Sequence, residues 1–261
     1  MKNKIVWITG ASSGIGEALV YAYNKLGAKL IISARNRDEL FRVKGNCKNQ
    51  INVHVLSFDL ENTEELANKA KDAQNIFGQI DMLINSGGLS QRSLAMETEP
   101  DVELKLMNVN FWATVRLSKA VLPGMLSRGG GSIVCISSLT GKFGTRYRSA
   151  YAASKHALHG YFDSLRAEVA DKNIKITIVC PGFIKTNISV NALTADGSAY
   201  CVMDQAQENG MSATECADKI VNAIKQHKEE VYIGGKETLG ILYKRFFPLI
   251  FSKYIRKAKV T

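Results

Sequence analysis

A tyrosine and a lysine four residues apart, in Tyr151-Ala152-Ala153-Ser154-Lys155, could together carry out acid–base chemistry. Four residues along an α-helix advance the side chain by about 400°, so Tyr151 and Lys155 share one face. An ammonium beside a phenol favours the phenolate, so we expect the pKa of Tyr151 to fall below its usual value of about 10. Such a phenol exchanges protons near neutral pH. Many pairs of this kind are ordinary helix-surface residues, so the rest of the chain decides the interpretation.

The composition predicts one globular domain in a reducing compartment. The chain has 261 residues, 46% hydrophobic and 22% charged, which is enough for a single domain over residues 1–261. The five cysteines have no metal-ligand spacing and are odd in number, so we expect no disulfide framework and a cytoplasmic location. The four histidines show no metal grouping, and no carboxylate completes a site around His156 and His159, so no metal is predicted.

Short β-rich apolar runs alternate with longer helical patterns. The predicted strands are 3–9, 28–34, 51–57, 80–85, 131–137, 174–180 and 230–233. The predicted helices lie near 14–26, 37–46, 63–77, 100–127, 149–170 and 213–227. This alternation indicates an α/β fold: a single Rossmann-type, doubly wound domain with a seven-stranded parallel sheet and helices on both faces.

Two regions do not follow this alternation. Residues 187–212 have weak periodicity and many small polar residues, and a segment this long is predicted to be a lid over a site, so we call it the lid segment. The run Ile5-Val6-Trp7-Ile8 predicts a buried strand rather than a signal peptide, and no stretch reaches the roughly 20 apolar residues of a membrane-spanning helix.

A glycine-rich turn, Thr9–Gly16, follows the first predicted strand and opens the first helix. Gly10 permits a tight turn, while Gly14 and Gly16 let the backbone approach a pyrophosphate and the helix approach the strand. The free N–H groups and the dipole of the helix start favour the phosphate charge. The spacing Gly-x-x-x-Gly-x-Gly differs from the standard dinucleotide pattern, and a plain tight turn is the alternative.

The end of the second predicted strand bears on the choice of cofactor. An acidic residue there would accept hydrogen bonds from the adenosine ribose of NAD, but Ala34 occupies the place and Arg35 follows it. A guanidinium suits a 2′-phosphate, so we predict NADP(H), with NAD(H) less favoured. The alternative is that Arg35 and Arg37 are solvated residues at the start of a helix.

Two further strand ends carry polar or small residues. Asp59 could accept a hydrogen bond from the adenine amine, or could cap the helix that starts near Asn62 and Thr63. Asn85-Ser86-Gly87-Gly88 ends the fourth predicted strand and would let the backbone pass close to the cofactor.

Six motifs follow one another along the chain: Thr9–Gly16, Asp59, Asn85–Gly88, Ser138, Tyr151 with Lys155, and Pro181-Gly182. In this order they resemble the short-chain dehydrogenase/reductase (SDR) family over roughly residues 3–233. The stretches 85–93 and 155–158 look like the branch that holds the dehydrogenase/reductase member 7 proteins, near the 11-beta-hydroxysteroid dehydrogenases. One departure is Ser86-Gly87, where the family usually has Asn-Ala, and the support of the central sheet could differ there.

The resemblance implies a catalytic role for four residues. Tyr151 would be the acid in reduction and the base in oxidation, and Lys155 would bind the nicotinamide ribose and lower the pKa of Tyr151. Ser138, thirteen residues before Tyr151, would hydrogen-bond the substrate oxygen, and the family pattern favours it over Ser137. Asn110 would hold a water in a proton relay, or could simply mark a helix kink.

The resemblance also implies the cofactor-binding set. In the turn Pro181–Thr186, the threonine hydroxyl and a backbone group at Ile184 would meet the nicotinamide carboxamide. The full set is Gly10, Ser12, Ser13, Gly14, Ile15, Gly16, Arg35, Asp59, Leu60, Asn85, Gly87, Tyr151, Lys155, Pro181, Gly182, Ile184 and Thr186.

The predicted function is NADP(H)-dependent interconversion of a ketone or aldehyde and an alcohol, on a lipophilic small molecule that is steroid-, retinoid- or acyl-like. The candidate pocket residues are Gln91, Arg92, Leu94, Thr140, Phe143, Tyr147 and Phe183. The alternatives are a catalytically silent nucleotide-binding scaffold and a membrane-surface interaction protein on the same fold. The resemblance implies a homodimer or homotetramer, and the absence of nucleic-acid motifs argues against such a partner.

The chain has a net charge of +10, and part of this positive charge comes from the C-terminal segment, residues 236–261. No acidic residue follows Glu237, and residues 239–255 alternate apolar and basic side chains, with Pro248 predicted to break the helix. The basic residues after Glu237 are Lys244, Arg245, Lys253, Arg256, Lys257 and Lys259. The segment either packs over the substrate pocket or a neighbouring subunit, or lies on a membrane surface as a peripheral contact.

Overall fold

The computed structural model describes residues 1–258, and Lys259 of the basic C-terminal segment lies outside this range. Nine strands are present in the described part of the chain: β1 (Ile5–Thr9), β2 (Lys29–Ser33), β3 (Val53–Val55), β4 (Met82–Asn85), β5 (Gly131–Ile136), β6 (Ile174–Pro181), β7 (Ile184–Lys185), β8 (Met211–Ser212) and β9 (Glu230–Ile233). Seven of them form one parallel sheet in the order β3-β2-β1-β4-β5-β6-β9. Strands β2 and β3 are added on one side of β1, and β4 to β6 and β9 are added on the other side. This switch in the strand order lies between β1 and β4, and sheets of this kind bind ligands at such a point.

Helices connect these strands. They are α1 (Gly14–Lys25), α2 (Arg37–Gly45), α3 (Leu66–Phe77), α4 (Pro100–Met107), α5 (Ala113–Ser127), α6 (Ser149–Glu168), α7 (Gln205–Glu208), α8 (Ala213–Lys225), α9 (Leu239–Phe246) and α10 (Pro248–Ile255). The single α/β domain with a seven-stranded parallel sheet is the predicted fold, and it is confirmed.

The sheet is buried on both faces because successive strand side chains point in opposite directions. Trp7 belongs to a core that is packed under α3, α5 and α6, whereas its neighbour Ile8 belongs to a core under α1, α2 and α8. Both side chains are fully buried. The near-continuous apolar strands of the sequence therefore reflect two cores, one on each side of the sheet.

The predicted helix over 100–127 is wrong in its continuity. It consists of α4, a π-helical turn at Asn108–Trp112, and α5. The wider turn carries Asn110 inward, where it is fully buried, and the hydroxyl of Thr114 donates to the carbonyl of Asn110 over 3.2 Å. Single π turns of this kind often lie at functional sites.

The lid segment is a packed part of the fold. Ser189, Ala192 and Asp204 are buried, and β8 pairs with β7 near its end. Leu193 forms isolated bridges with Gln91 and with a residue of its own segment. The lid segment is therefore held by short strand pairings and buried side chains and not by a long helix or strand, which agrees with its weak periodicity.

The C-terminal segment folds as two short helices that meet at Phe247 and Pro248, which confirms the predicted break. Phe251 of α10 is buried, and its ring packs edge-on against Phe143 with centroids 5.2 Å apart. Over residues 1–258, every helix is too short or too polar to cross a bilayer.

Candidate active site

A cleft of about 1050 Å³ opens at the carboxyl ends of the parallel strands. It extends from the glycine turn after β1 to the helices α9 and α10. The predicted site residues that line it are Gly10, Ser12, Ser13, Gly14, Ile15, Gly16, Arg35, Asp59, Leu60, Gly87, Ser138, Tyr151, Lys155, Pro181, Gly182, Ile184 and Thr186. Asn85 and Asn110 are not among the lining residues.

The glycine turn takes its tight conformation only because glycine occupies three of its positions. Gly10 and Gly14 have φ of 63° and 56°, which favour glycine. A Cβ on Gly16 would lie 2.1 Å from the carbonyl oxygen of Gly10. Ser13 makes no side-chain cap, so the first N–H groups of α1 remain without intrahelical partners. The turn is therefore a cradle of backbone donors at a helix start, which suits an anion.

The loop after β4 is drawn against this turn. The hydroxyl of Thr9 accepts hydrogen bonds from the backbone N–H groups of Ser86 and Gly87, over 3.2 and 3.3 Å. A Cβ on Gly87 would lie 2.2 Å from Cδ1 of Leu60. Leu60 thus fills the place of the alanine side chain that the SDR pattern usually has here. The departure at Ser86-Gly87 changes local packing and leaves the backbone path along the cleft open.

Arg35 and Asp59, two further residues of the predicted cofactor-binding set, also line the cleft. Arg35 is exposed and lines the cleft, and within residues 1–258 it forms no ion pair with a carboxylate. Asp59 Oδ1 accepts a hydrogen bond from the N–H of Glu61 over 2.9 Å, so this carboxylate fixes the loop before α3 as well as lining the cleft.

Helix α6 brings Tyr151 and Lys155 onto one face, as their spacing predicts. Lys155 is buried, its Nζ donates to the carbonyl of Ile136 over 2.9 Å, and Nζ lies 5.8 Å from the centroid of the Tyr151 ring. That carbonyl is the one hydrogen-bond partner of Nζ among the described residues. Burial lowers the pKa of Lys155 to about 8. The ammonium therefore has donors left over for a ligand in the cleft.

The two neighbouring serines have different environments. Ser138 is half-buried and lines the cleft, and its Oγ accepts from the N–H and the hydroxyl of Thr140 over 3.2 and 2.9 Å. Ser137 is buried, and its Oγ lies 3.2 Å from the carbonyl oxygen of Lys155 and 3.1 Å from Nε2 of His159. The hydroxyl of Ser138 thus keeps its own proton to donate, whereas that of Ser137 is engaged inside the protein.

Asn110 supports the site from behind. Its Oδ1 accepts from the N–H of Leu89 over 2.8 Å, and its Nδ2 donates to the carbonyl of Leu89 and to Oγ of Ser154, each over 3.0 Å. Ser154 in turn donates to the carbonyl of Tyr151 over 2.7 Å. The predicted helix kink at Asn110 is present, and the water relay stays a prediction.

Asn85 belongs to the predicted cofactor-binding set but does not line the cleft, and a cofactor role for it stays a prediction. Asn85 is buried, and its Nδ2 donates to Oγ of Ser118 over 3.3 Å, away from the cleft. It is the last residue of β4, and strand alternation turns its side chain toward α5. The following Ser86-Gly87-Gly88 backbone lines the cleft instead.

The predicted substrate pocket is partly right. Four of its residues line the cleft: Arg92, Thr140, Phe143 and Phe183. Three do not: Gln91, Leu94 and Tyr147. Sequence reasoning missed Arg148, Tyr243, Ile250 and Tyr254 as lining residues. The signal for the last three was the apolar–basic alternation near the C-terminus, which cannot tell a pocket wall from a membrane face.

A carboxylate does lie beside His159, which corrects the expectation that none would. Glu230 Oε2 is 3.4 Å from Nδ1 of His159, and Cys180 Sγ is 3.7 Å from Nε2. Within residues 1–258 this is the one His/Cys/acid group close enough to hold a metal. The Lys142 ammonium, 2.8 Å from Glu230, already neutralises the carboxylate, and burial raises the pKa of the Cys180 thiol. Both effects oppose metal binding.

The burial of Lys155 predicts a specific pH dependence of stability. Its pKa is about 8 in the folded protein against an ordinary value of 10.5. Between these values the unfolded chain binds more protons, so the free energy of unfolding rises with pH. Lys155→Met lacks this contribution. Between about pH 7 and about pH 11, the free energy of unfolding of the wild type should rise relative to that of Lys155→Met by on the order of 3 kcal/mol. Urea denaturation measures this difference.

The exposed Lys48 provides the matched control for this measurement. Lys48→Met should follow the wild-type curve at every pH. Parallel curves for the wild type and Lys155→Met would show that the ammonium is not held in a desolvated place.

The chain has relatives whose names describe dehydrogenases and reductases. Residues 4–197 match the family model described as short chain dehydrogenase. A dehydrogenase/reductase SDR family protein 7-like of Anopheles gambiae is 43% identical over 242 residues, which cover 89% of this chain and 75% of that protein. Dehydrogenase/reductase SDR family member 7B of Mus musculus is 42% identical over 238 residues, which cover 89% and 74%.

The fold is also similar to that of solved short-chain dehydrogenase structures. A short-chain dehydrogenase from Streptomyces avermitilis superposes with a TM-score of 0.83 and 27% identity, covering 97% of this chain and 96% of that one. The chain therefore belongs to the short-chain dehydrogenase/reductase family, a family of oxidoreductases that act on CH–OH and carbonyl groups.

Proposed function

We propose that this protein is an NADP(H)-dependent oxidoreductase that interconverts a ketone or aldehyde and an alcohol, with Tyr151 as the acid–base group. The observation that carries the proposal is the buried Lys155 ammonium beside Tyr151. Among the described residues, Nζ of Lys155 makes one hydrogen bond, to the carbonyl of Ile136, so its other N–H groups are available to a ligand in the cleft. A buried charge is expensive unless polar groups surround it. The hydroxyls of a nicotinamide ribose would supply such groups.

The residues of the cleft fit a dinucleotide. The glycine turn is too tight for a Cβ on Gly16, which would meet the carbonyl oxygen of Gly10, and the free N–H groups at the start of α1 suit a pyrophosphate. Thr186 lies directly over this turn, since a Cβ on Gly14 would be 3.0 Å from its methyl group. When bound, a nicotinamide cofactor supplies or accepts the hydride.

The side chains around the cleft supply the proton and the electrostatics. Tyr151 holds a proton on its phenol oxygen for transfer to a carbonyl oxygen, and takes it back in the reverse direction. Ser138, whose oxygen accepts from Thr140, donates a second hydrogen bond to the same substrate oxygen. The ammonium of Lys155 stabilises the phenolate that forms on Tyr151 when its proton is transferred.

Tyr151→Phe tests this role, because it removes only the acidic oxygen. The variant should bind NADPH like the wild type and lose at least about a hundredfold in kcat. Turnover would be followed at the NADPH absorbance, after a screen of ketones, hydroxysteroids, retinoids and acyl substrates with both cofactors. Tyr161→Phe, on the same helix but outside the cleft, is the matched control and should keep wild-type turnover.

Two outcomes would contradict the proposal in different ways. Unchanged kcat in Tyr151→Phe would remove Tyr151 as the acid–base group. Cofactor binding with no turnover of any compound in the screen would favour the catalytically silent nucleotide-binding scaffold.

The preference for NADP(H) rests on Arg35. It is an exposed cation on the cleft wall, at the place where an acidic residue would favour the ribose of NAD. Arg37 differs, since its guanidinium lies 5.5 Å from the ring centroid of Phe41 and it does not line the cleft.

Arg35→Ala should weaken NADPH binding by about tenfold or more while NADH binding changes little, because only NADPH carries the 2′-phosphate. Arg37→Ala should leave both affinities near the wild-type values. Fluorescence titration with each cofactor measures this. Equal losses for the two cofactors in Arg35→Ala would remove the preference.

The substrate we propose is lipophilic, because aromatic and aliphatic side chains form the far end of the cleft. Phe143, Tyr243, Ile250 and Tyr254 line it, and Phe251 closes it by packing on Phe143. The C-terminal helices therefore form one wall of the pocket. The side chains that do not line the cleft are largely exposed and apolar: Leu242, Phe246, Phe247 and Leu249.

We further propose that this outer surface makes a peripheral contact with an anionic membrane. Phe246 and Leu249 are 64% and 80% exposed, and basic residues of α9 and α10 lie among them with no acidic residue after Glu237. That combination of apolar and basic side chains is typical of an interfacial helix. A cytoplasmic, membrane-associated location follows as a prediction.

Flotation with phosphatidylserine-containing liposomes tests the membrane contact. The double substitution Phe246→Ser and Leu249→Ser should abolish flotation, whereas Ile51→Ser, which removes an 88% exposed side chain elsewhere, should not. Point substitutions are preferable to truncation at Gly240, which would also remove Phe251 from the core. Equal flotation of all variants would exclude this surface as the contact.

The proposed homodimer or homotetramer is supported by exposed apolar side chains on α4 and on the π turn that follows it. Leu104 of α4 and Trp112 of the π turn are 59% and 45% exposed. Burial of such side chains between copies would stabilise an oligomer.

A further inference from the structure

The carboxylate of Asp204, in the lid segment, is buried between two arginines. Arg92 Nε donates to Oδ1 over 3.3 Å and Arg92 Nη2 donates to Oδ2, while Arg148 Nη2 donates to Oδ2 over 3.1 Å. The side chains of Asp204, Arg92 and Arg148 are 1%, 2% and 7% exposed. Arg148 is the residue that immediately precedes α6, three residues before Tyr151. One carboxylate of the lid segment therefore reaches the start of the catalytic helix.

The chain from Ser90 to Ser93 makes a second connection between the same two parts. On one side, the N–H of Leu193 donates to the carbonyl of Ser90 over 2.9 Å, and the N–H of Arg92 donates to the carbonyl of Leu193 over 2.8 Å. On the other side, Oε1 of Gln91 accepts from the N–H of Tyr151 over 3.2 Å. The backbone of this stretch is therefore hydrogen-bonded to the lid segment, and the side chain of Gln91 is hydrogen-bonded to α6.

The start of α6 depends on this help from outside the helix. Arg148 occupies the N-cap position and makes no side-chain cap, so the first N–H groups of the helix need other partners. Gln91 supplies one of them at Tyr151 itself. Gln91 is fully buried, and its amide donates to the hydroxyls of Ser93, Thr98 and Ser149, so it has little freedom to move alone.

We propose that Asp204 is a positioning residue that couples the packing of the lid segment to the placement of Tyr151. When the lid segment moves to admit a substrate, Asp204 leaves both guanidiniums, and the 90–93 chain loses its bonds to Leu193. The first turn of α6 is then held less firmly, and proton transfer by Tyr151 waits until the lid segment packs again. Catalysis is thereby confined to the state in which the lid segment covers the cleft.

Asp204→Asn tests the coupling, because it keeps the shape and removes the charge. The expected result is a fall in kcat of about tenfold or more, since small misplacements of a catalytic group are costly. The affinity for NADPH should stay within about twofold, because the side chain of Asp204 bonds only Arg92 and Arg148 among the described residues and none of the glycine turn. Hydrogen exchange should speed up at the amides of Leu193 and Tyr151 together.

Asp196→Asn is the matched control in the same segment. Asp196 is exposed, and its hydrogen bonds go to Thr194 and Ser198 within the lid segment, so this change should leave kcat and the Tyr151 amide unchanged. Faster exchange at Leu193 alone in Asp204→Asn, with unchanged kcat, would overturn the coupling.

The unmodified protein provides a second test, which does not need the variant to fold. In low concentrations of denaturant, the amides of Arg92, Leu193 and Tyr151 should exchange as one cooperative unit with the same denaturant dependence. Exchange of Tyr151 independently of the other two would overturn the proposal. The kcat readout rests on the proposed function, whereas the exchange readout does not. A protein without turnover that still shows joint exchange would therefore contradict the proposed function alone.

Discussion

The buried ammonium of Lys155 is the constraint around which the candidate site is built. An ammonium out of water needs polar partners, and among the described residues it has the carbonyl of Ile136 at the end of β5. Space beside it is limited, since a Cβ on Gly88 would lie 3.3 Å from Nζ. The same burial that lowers the pKa of Lys155 to about 8 leaves its other donors aimed at ligands in the cleft. The protein thus accepts a local loss of stability that a bound dinucleotide would offset.

The parallel sheet and the loops around it place the other groups relative to that ammonium. The loops after β1 and β4 approach so closely that a Cβ on Gly10 would lie 2.6 Å from Cα of Gly87, so backbone forms this part of the cleft wall. Helix α6 fixes Tyr151 one turn from Lys155, and its start is held from outside by Gln91. The glycine turn, the Tyr151–Lys155 pair and the lid segment therefore meet at one edge of the sheet.

Local sequence signals predicted most of the fold and much of the site. The glycine turn, the Tyr151–Lys155 spacing and the break at Pro248 each depend on a few adjacent residues. The parts that could not be predicted depend on distant partners. Glu230 of β9 meets His159 of α6, and Asp204 meets Arg92 across a long stretch of chain. The π turn at Asn108–Trp112 and the inward side chain of Asn85 follow from packing against α6 and α5, which no local pattern encodes.

A crystal structure of the protein with NADPH tests the central claim most directly. The account predicts the pyrophosphate on the backbone of the turn from Ser12 to Gly16, the 2′-phosphate beside Arg35, and the nicotinamide ribose within hydrogen-bond distance of Nζ of Lys155. A dinucleotide bound elsewhere, with Nζ of Lys155 still bonded only to the carbonyl of Ile136, would contradict it.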